Sequence, residues 1–489
     1  MEWQPPGPGV WWLSLEHFPQ PICRLAAELI SPTIEGWMTG ARRYGLPRAR
    51  ADFRAVNSWY FYSPGTVPAV VDDDLEAAAV ETLATKRWRD EVRRWHHEER
   101  PAVRASGRAL QAIELDALDD AALLDHVDTC IDHFLLSAPL HFEHTAVDIA
   151  FGLLVEAAAE LGIDGPAAVA MLAGASTGSS SAARHLDAVA GALRASGVEH
   201  IDSLDEAAGP ELDEFLADHG WQLLSGHDLD EPALVERPEL IVRGINAALA
   251  GRPAVEPPTD PRLGEVLDDA RAAYGLRDDD VQLTFIRPLG LIRRALLELG
   301  RRSGLRAPDD VFEVSRAELR DLPPADELAR RTDARRAAAA LTPPGQLGEG
   351  GPPPTPALPP TVARLQELQG KAWSITRKPP PGPLSGIGAG TGVGRGPVRR
   401  VVSAADIATC EPGDVLVTRS TTTAYGPVFP MLAAVVTTEG SLMSHAALLS
   451  RELALPCVLA VTAALDDLSD GDLVEVDADT GIVTRLPSD

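Results

Sequence analysis

Apolar residues recur at three- and four-residue steps through much of the first 341 positions, the pattern of helices that bury one face. It is clearest in DEVRRWHHEERPAVRASGRALQAIELDAL, DDAALLDHVDTCIDHFLLSA and FIRPLGLIRRALLELGRRSGL, and it predicts a mostly helical body. Beyond residue 385 the texture changes to short apolar runs between glycines: GPVRRVVS, GDVLVTRS, LAAVVTTEG, PCVLAV and DLVEVDADTGIVTRL. That pattern predicts a compact α/β domain of roughly 100 residues. Between the two textures, Pro343 to Pro383 hold 12 of the chain's 41 prolines. Proline fixes φ and removes a donor, so these pieces are expected to be extended, semi-rigid spacers around one short helix in VARLQELQGKAW. The expected plan is a helical domain over 1–341, a proline-rich linker over 342–385 and an α/β domain over 386–489. The linker reads either as a passive surface loop or as a tether between two moving bodies.

Charge narrows the partners. The 489 residues carry 44 Lys and Arg against 72 Asp and Glu, a formal charge of −28. Such a surface repels nucleic acid and anionic membranes, and no basic block offsets it. Cys23, Cys130, Cys410 and Cys457 show no zinc-ligand spacing or CxxC pairing, which fits a reduced, cytoplasmic setting. The N-terminal MEWQPPGPGVWWLSLEHFP lacks the basic and apolar regions of a signal peptide. No apolar run approaches the roughly 20 residues of a membrane helix.

Two stretches invite a chemical reading. GIGAGTGVGRG has the Gly-x-Gly spacing of a dinucleotide loop, yet it follows prolines and runs into the strand-like PVRRVV, whereas that loop must follow a strand and open a helix. Its glycines are expected to start a β domain at a hinge. In TTEGSLMSHAALLSRELALPC, His445 stands between a glycine turn and an alanine-rich helix, where unpaired backbone N–H groups attract anions. A neutral imidazole is a good nucleophile near neutral pH, and phosphoryl transfer needs mainly positioning and charge stabilisation. A lone histidine at a helix start is also a common cap or satisfied core residue.

From Gly386 onward the chain resembles the swivelling phosphohistidine domain of the phosphoenolpyruvate-utilising enzymes. The matching residues are GIGAGTGVGRGPV, GDVLVTRSTTTAYGPVFP, Gly440, Ser444-His445-Ala446-Ala447 and Arg451-Glu452-Leu453 through Pro456. The resemblance implies that His445 is phosphorylated and carries the group between two sites. Ser444, Arg419, Thr421, Thr422, Thr423, Gly440 and Arg451 are then expected to support the phosphate. Ser441 replaces the second glycine of the usual pair and is expected to stiffen the turn. Met443 stands where dikinases carry a regulatory threonine, so that control is not expected here.

FIRPLGLIRRALLELGRRSGLRAPDDVFEVSRAEL, FLADHGWQLLSGHDLDEPALVERPEL and LEHFPQPICRL resemble parts of the acceptor-binding domain of rifampicin phosphotransferase-like proteins. No ATP-grasp or pyruvate-barrel module is read in the sequence. The resemblance therefore implies a split enzyme, with ATP and Mg2+ handled by an ATP-grasp protein in trans. Where relatives commonly read Gly-His-Arg this chain has Gly220-Trp221-Gln222, and a following acidic residue is Gly226, while Asp228 and Pro232 keep their places. Loss of that charge leans toward a less anionic, more apolar acceptor. In DHFLLSAPLHFEHTAVD, His133, His141, His144 and Asp148 fall within about 80° of one face at roughly 100° per residue, although Pro139 interrupts the span. The row reads as an acceptor base oriented by Asp148 or Glu143, as a buried polar seam, or as a metal site without a strict ligand motif. His96 and His97 read as a solvated helix face. The expected function is phosphoryl transfer through His445 to the hydroxyl of a small molecule. The alternatives are a phosphorylation-driven dehydratase and a non-catalytic phosphocarrier or binding protein.

Overall fold

The computed structural model describes residues 2–15, 18–48, 51–63, 71–176, 179–224, 227–251, 257–351, 357–373, 382–421 and 425–487. The chain separates into two compact units, one comprising 1–147, 227–230 and 283–367, the other 148–226, 231–282 and 368–489.

The first unit is chiefly helical, as the periodicity predicts. Its long helix Asp120–Glu143 continues through Pro139, so the proline does not interrupt the helical span. Gly36 and Gly40 of the neighbouring Glu35–Tyr44 helix face the carbonyls of Pro139 and Glu143 so closely that a Cβ would lie 2.1 Å from either oxygen. The helix pattern does not predict a four-stranded antiparallel sheet formed by β1 (Trp11–Leu13), β2 (Asp52–Val56), β3 (Trp59–Ser63) and β4 (Gln346–Leu347), ordered β2-β3-β1-β4. Trp11, Trp59, Phe61 and Leu347 bury together on it. The proline-rich segment is therefore not extended throughout. Leu347 pairs with Trp11, and Pro360–Trp373 is a helix whose Val362, Leu365 and Leu368 are buried. Residues 352–356 and 374–381 lie outside the described residues.

The second unit combines helices with a C-terminal sheet. Its helices include Ile149–Glu160, Ser179–Ala195, Pro210–His219, Pro238–Ala250 and Gly264–Val281. The sheet contains β5 (Ile387–Ala389), β6 (Val393–Val401), β7 (Val415–Thr418), β8 (Ala434–Thr437), β9 (Cys457–Leu459), β10 (Leu473–Asp477) and β11 (Ile482–Arg485), ordered β11-β10-β6-β7-β8-β9-β5. β6 to β9 run parallel to one another, whereas β5 pairs antiparallel with β9, β10 with β6, and β11 with β10. VLVT and AVVT are buried at every position, as β-branched central parallel strands covered on both faces must be. The glycine run before them opens the sheet, as expected, through β5 and the start of β6. At Gly388 in β5 a Cβ would lie 1.8 Å from the Ala478 carbonyl oxygen, so only glycine permits that approach.

All four cysteines are free and buried. Among the described residues, no helix is long and apolar enough to cross a membrane.

Candidate active site

β7 and β8 lie side by side in parallel, with Thr418 opposite Thr437, so both chains leave the sheet at the same edge. Ligand sites in parallel sheets form beyond these carboxyl ends. β7 leads to Arg419, Ser420 and Thr421, while β8 leads to the turn that ends in His445. The ladder continues for two bonds beyond the strands, Thr438 N–H to the Thr418 carbonyl and Glu439 N–H to the Arg419 carbonyl, both 3.0 Å.

The turn is shaped by Gly440, whose φ of +119° lies where side chains are strained. A Cβ there would also come 3.1 Å from Ser444 Oγ. Ser441 accepts the Met443 N–H on its own hydroxyl at 3.3 Å, so the residue that replaces a glycine adds a bond inside the turn. The helix His445–Glu452 follows, with Ser444 at its N-cap position. The Ser444 hydroxyl does not cap it. Ser444 Oγ and His445 Nε2 are both buried without a hydrogen-bond partner among the described residues.

The other ring nitrogen is engaged. Thr421 Oγ1 lies 3.0 Å from His445 Nδ1, and the Phe429 ring meets the imidazole edge-on with centroids 6.1 Å apart. In the tautomer in which Nδ1–H donates to Thr421, the lone pair resides on Nε2, the unpartnered atom. Burial pulls the His445 pKa down to about 3, so the ring is neutral at physiological pH. The arrangement presents a neutral nitrogen nucleophile beside a serine hydroxyl at a helix N-terminus, a setting suited to an anionic electrophile.

The remaining expected residues fall in different surroundings. Arg419 pairs with Glu439 at 3.0 Å. Arg451 is buried and donates to the Leu442 carbonyl at 2.8 Å and to the Tyr274 hydroxyl at 2.9 Å, so its guanidinium holds the turn that carries the histidine. Thr422 and Thr423 lie outside the described residues.

His133, His141 and His144 belong to the first unit. His144 is fully buried, 3.1 Å from Glu99 and 3.9 Å from Glu91, inside a network with Arg43 and Arg94. His133 lies 3.3 Å from Ser106, and its pKa is lowered to about 4 by burial and then by the Arg287 cation. His141 packs edge-on to Phe142 and Phe285. Asp148, expected to orient a base, instead pairs with Arg277 at 3.4 Å. Among the described residues, no group of three or more His, Cys, Asp or Glu is arranged to hold a metal. Within the first unit, Asp228 accepts the Cys23 N–H at 3.3 Å in the buried surroundings of Arg335.

The sequence reading missed a polar chain in the second unit. His185 Nδ1 is 3.1 Å from His219 Nε2, His219 Nδ1 is 3.0 Å from Gln222 Nε2, and Gln222 donates to Gln282 Oε1 at 3.0 Å. Gln222 is thus a buried polar link between His219 and Gln282.

The sheet thus presents a histidine beyond the carboxyl ends of two parallel strands, at the N-terminus of a helix. Residues 410–481 match the family described as PEP-utilising enzyme, mobile domain. An uncharacterized protein of Mycobacterium tuberculosis is 35% identical over 256 residues, covering 50% of this chain and 28% of that protein. The rifampicin phosphotransferase of Streptomyces sviceus is 29% identical over 337 residues, covering 59% of this chain and 37% of its own length. The uncharacterized phosphotransferase YvkC of Bacillus subtilis is 24% identical over 323 residues, covering 58% and 38%. The last two similarities extend well beyond the mobile domain, into the helical part. The chain thus contains a segment that matches the PEP-utilising mobile domain, within a longer stretch similar to a rifampicin phosphotransferase. It spans about a third of the length of these relatives.

Proposed function

We propose that this chain is the phosphohistidine-bearing, acceptor-binding component of an ATP-dependent phosphotransferase. The observation that carries this reading is the unpartnered, buried Nε2 of a neutral His445 whose Nδ1 is held by Thr421. In the charging step the Nε2 lone pair forms the N–P bond while the donor's bridging P–O bond breaks and its electron pair leaves with the nucleotide. In delivery the acceptor oxygen attacks phosphorus and the N–P electron pair returns to Nε2. The hydroxyl proton passes to a base, for which His133 and His141 are the proposed recipients, since His144 is taken up by carboxylates. An ATP-grasp protein in trans would supply the donor site and its Mg2+, the residues 386–489 would move on the proline-rich segment, and the acceptor would be a small, apolar alcohol or phenol. Similarity to two proteins named as phosphotransferases supports the reaction class.

The test is reconstitution with an ATP-grasp partner and ATP labelled at the transferred phosphate. The chain should take up an acid-labile, alkali-stable label that then appears on the acceptor, and His445→Ala should abolish both. Label or product persisting in His445→Ala would overturn the reading.

A further inference from the structure

Within the second unit, the helix that begins with His445 ends in a clasp. Glu452 Oε1 accepts the backbone N–H of Gly174 at 2.9 Å and of Ser176 at 3.2 Å, 278 and 276 positions away. Next to it, Arg451 donates to Tyr274 of the Gly264–Val281 helix at 2.9 Å.

The loop that Glu452 grips is itself fixed. Ser176 Oγ donates to Asp278 at 2.5 Å, Arg271 donates to the Ala173 carbonyl at 3.1 Å, and Arg184 donates to the Ser176 carbonyl at 3.3 Å. A second anchor reaches the sheet domain elsewhere. Arg243 of the Pro238–Ala250 helix donates to the carbonyls of Ala408 and Cys410 at 2.6 and 2.7 Å, and its Nη2 lies 3.2 Å from Glu411. In this arrangement the nucleophilic Nε2 of His445 and the neighbouring Ser444 Oγ are covered.

We propose that Glu452 and the Gly174–Ser176 loop form a latch that pins the His445 helix against the helical segment 148–282, and that this latch opens before His445 is charged. The chemistry suits a reversible catch. One side-chain oxygen accepts two backbone N–H groups, so a single rotation of Glu452 releases both, whereas an apolar interface would have to separate over its whole area. Two hydrogen bonds to one acceptor shift such an equilibrium by about tenfold or more, enough to hold the helix and still allow release. The second clause rests on the phosphotransfer reading; the latch itself does not.

The test is amide hydrogen exchange on the full chain at Gly174 and Ser176, combined with charging by phosphoramidate, which needs no partner protein. Glu452→Ala should speed exchange at both amides by about tenfold or more, leave β7 and β8 protected, and speed charging of His445. Glu452→Gln keeps the accepting Oε1 and should keep both amides protected. Unchanged exchange in Glu452→Ala would overturn the latch, and so would loss of protection in Glu452→Gln, the variant that decides the matter if the alanine form unfolds. Faster exchange with unchanged charging would overturn the gating clause. If neither wild type nor variants take phosphate on His445, the phosphotransfer reading fails while the exchange result still decides the latch.

Discussion

Thr421 Oγ1 and His445 Nδ1 stand 3.0 Å apart across the carboxyl ends of two adjacent parallel strands. The residues are 24 positions apart in sequence, and the β7–β8 register brings them together. The contact engages Nδ1 and leaves Nε2 as the ring nitrogen without a partner among the described residues. In the same ring, burial opposes protonation, so the nucleophile stays available across the physiological pH range.

Thr421→Val removes the acceptor for Nδ1–H and nearly preserves the side chain's shape. Charging of His445 should slow by about five- to tenfold, the worth of one net hydrogen bond of about 1 kcal/mol. Thr421→Ser should restore most of the rate. Equal charging rates in Thr421→Val and wild type, measured by phosphate uptake, would remove the threonine from the nucleophile's support.

Glu452 gives a pH dependence whose sign follows from its surroundings. Burial raises its pKa from 4.5 to about 7, opposed by the Ser176 and Gly174 hydrogen bonds; Asp278 raises it further and Arg451 lowers it. Tyr274, Arg271 and Arg184 also lie around the clasp and its loop. The latched state holds its proton up to about pH 7, whereas a released, solvated Glu452 gives it up near 4.5. Latching is therefore strongest at low pH and weakens as pH rises through that window. Protection at Gly174 and Ser176, corrected for intrinsic exchange, should fall between pH 5 and 8 in wild type and stay level in Glu452→Gln. A wild-type profile as level as that of the glutamine variant would refute the assignment.

Arg451 sits in the sequence where a phosphate ligand is expected, yet its donors reach Leu442 and Tyr274. Arg451→Lys keeps the charge and loses the fork, leaving one of two buried oxygens without its donor. Stability should drop by about 1–3 kcal/mol, read as a lower denaturant midpoint. A role confined to phosphate would instead lower charging and leave the midpoint in place.

The sequence made the sheet domain legible because its central strands are unbroken apolar runs, and because His445 sits at a strand–turn–helix corner with glycine before it. The N-terminal sheet escaped notice because β1 has only three residues and its partner β4 only two, too short for a period of two to register. The glycines of GIGAGTGVGRG read as the start of a β domain, but the close approach of β5 to the Ala478 backbone leaves no local mark. Pro139 read as a break because sequence does not show that a neighbouring helix packs on glycines against that turn. The latch was illegible for a different reason. Its acceptor is a side chain and its donors are backbone groups far away in the chain, so no residue type at residues 174–176 announces them.

The central claim is that Nε2 of His445 carries the phosphoryl group. Its most direct test is phosphorus–nitrogen NMR on the full chain labelled with 15N-histidine and charged with phosphoramidate. The account predicts a phosphoramidate signal coupled to Nε2 of His445 and absent from His445→Ala. A signal on Nδ1, on Ser444, or on others of the 12 histidines with His445 unmodified, would contradict it.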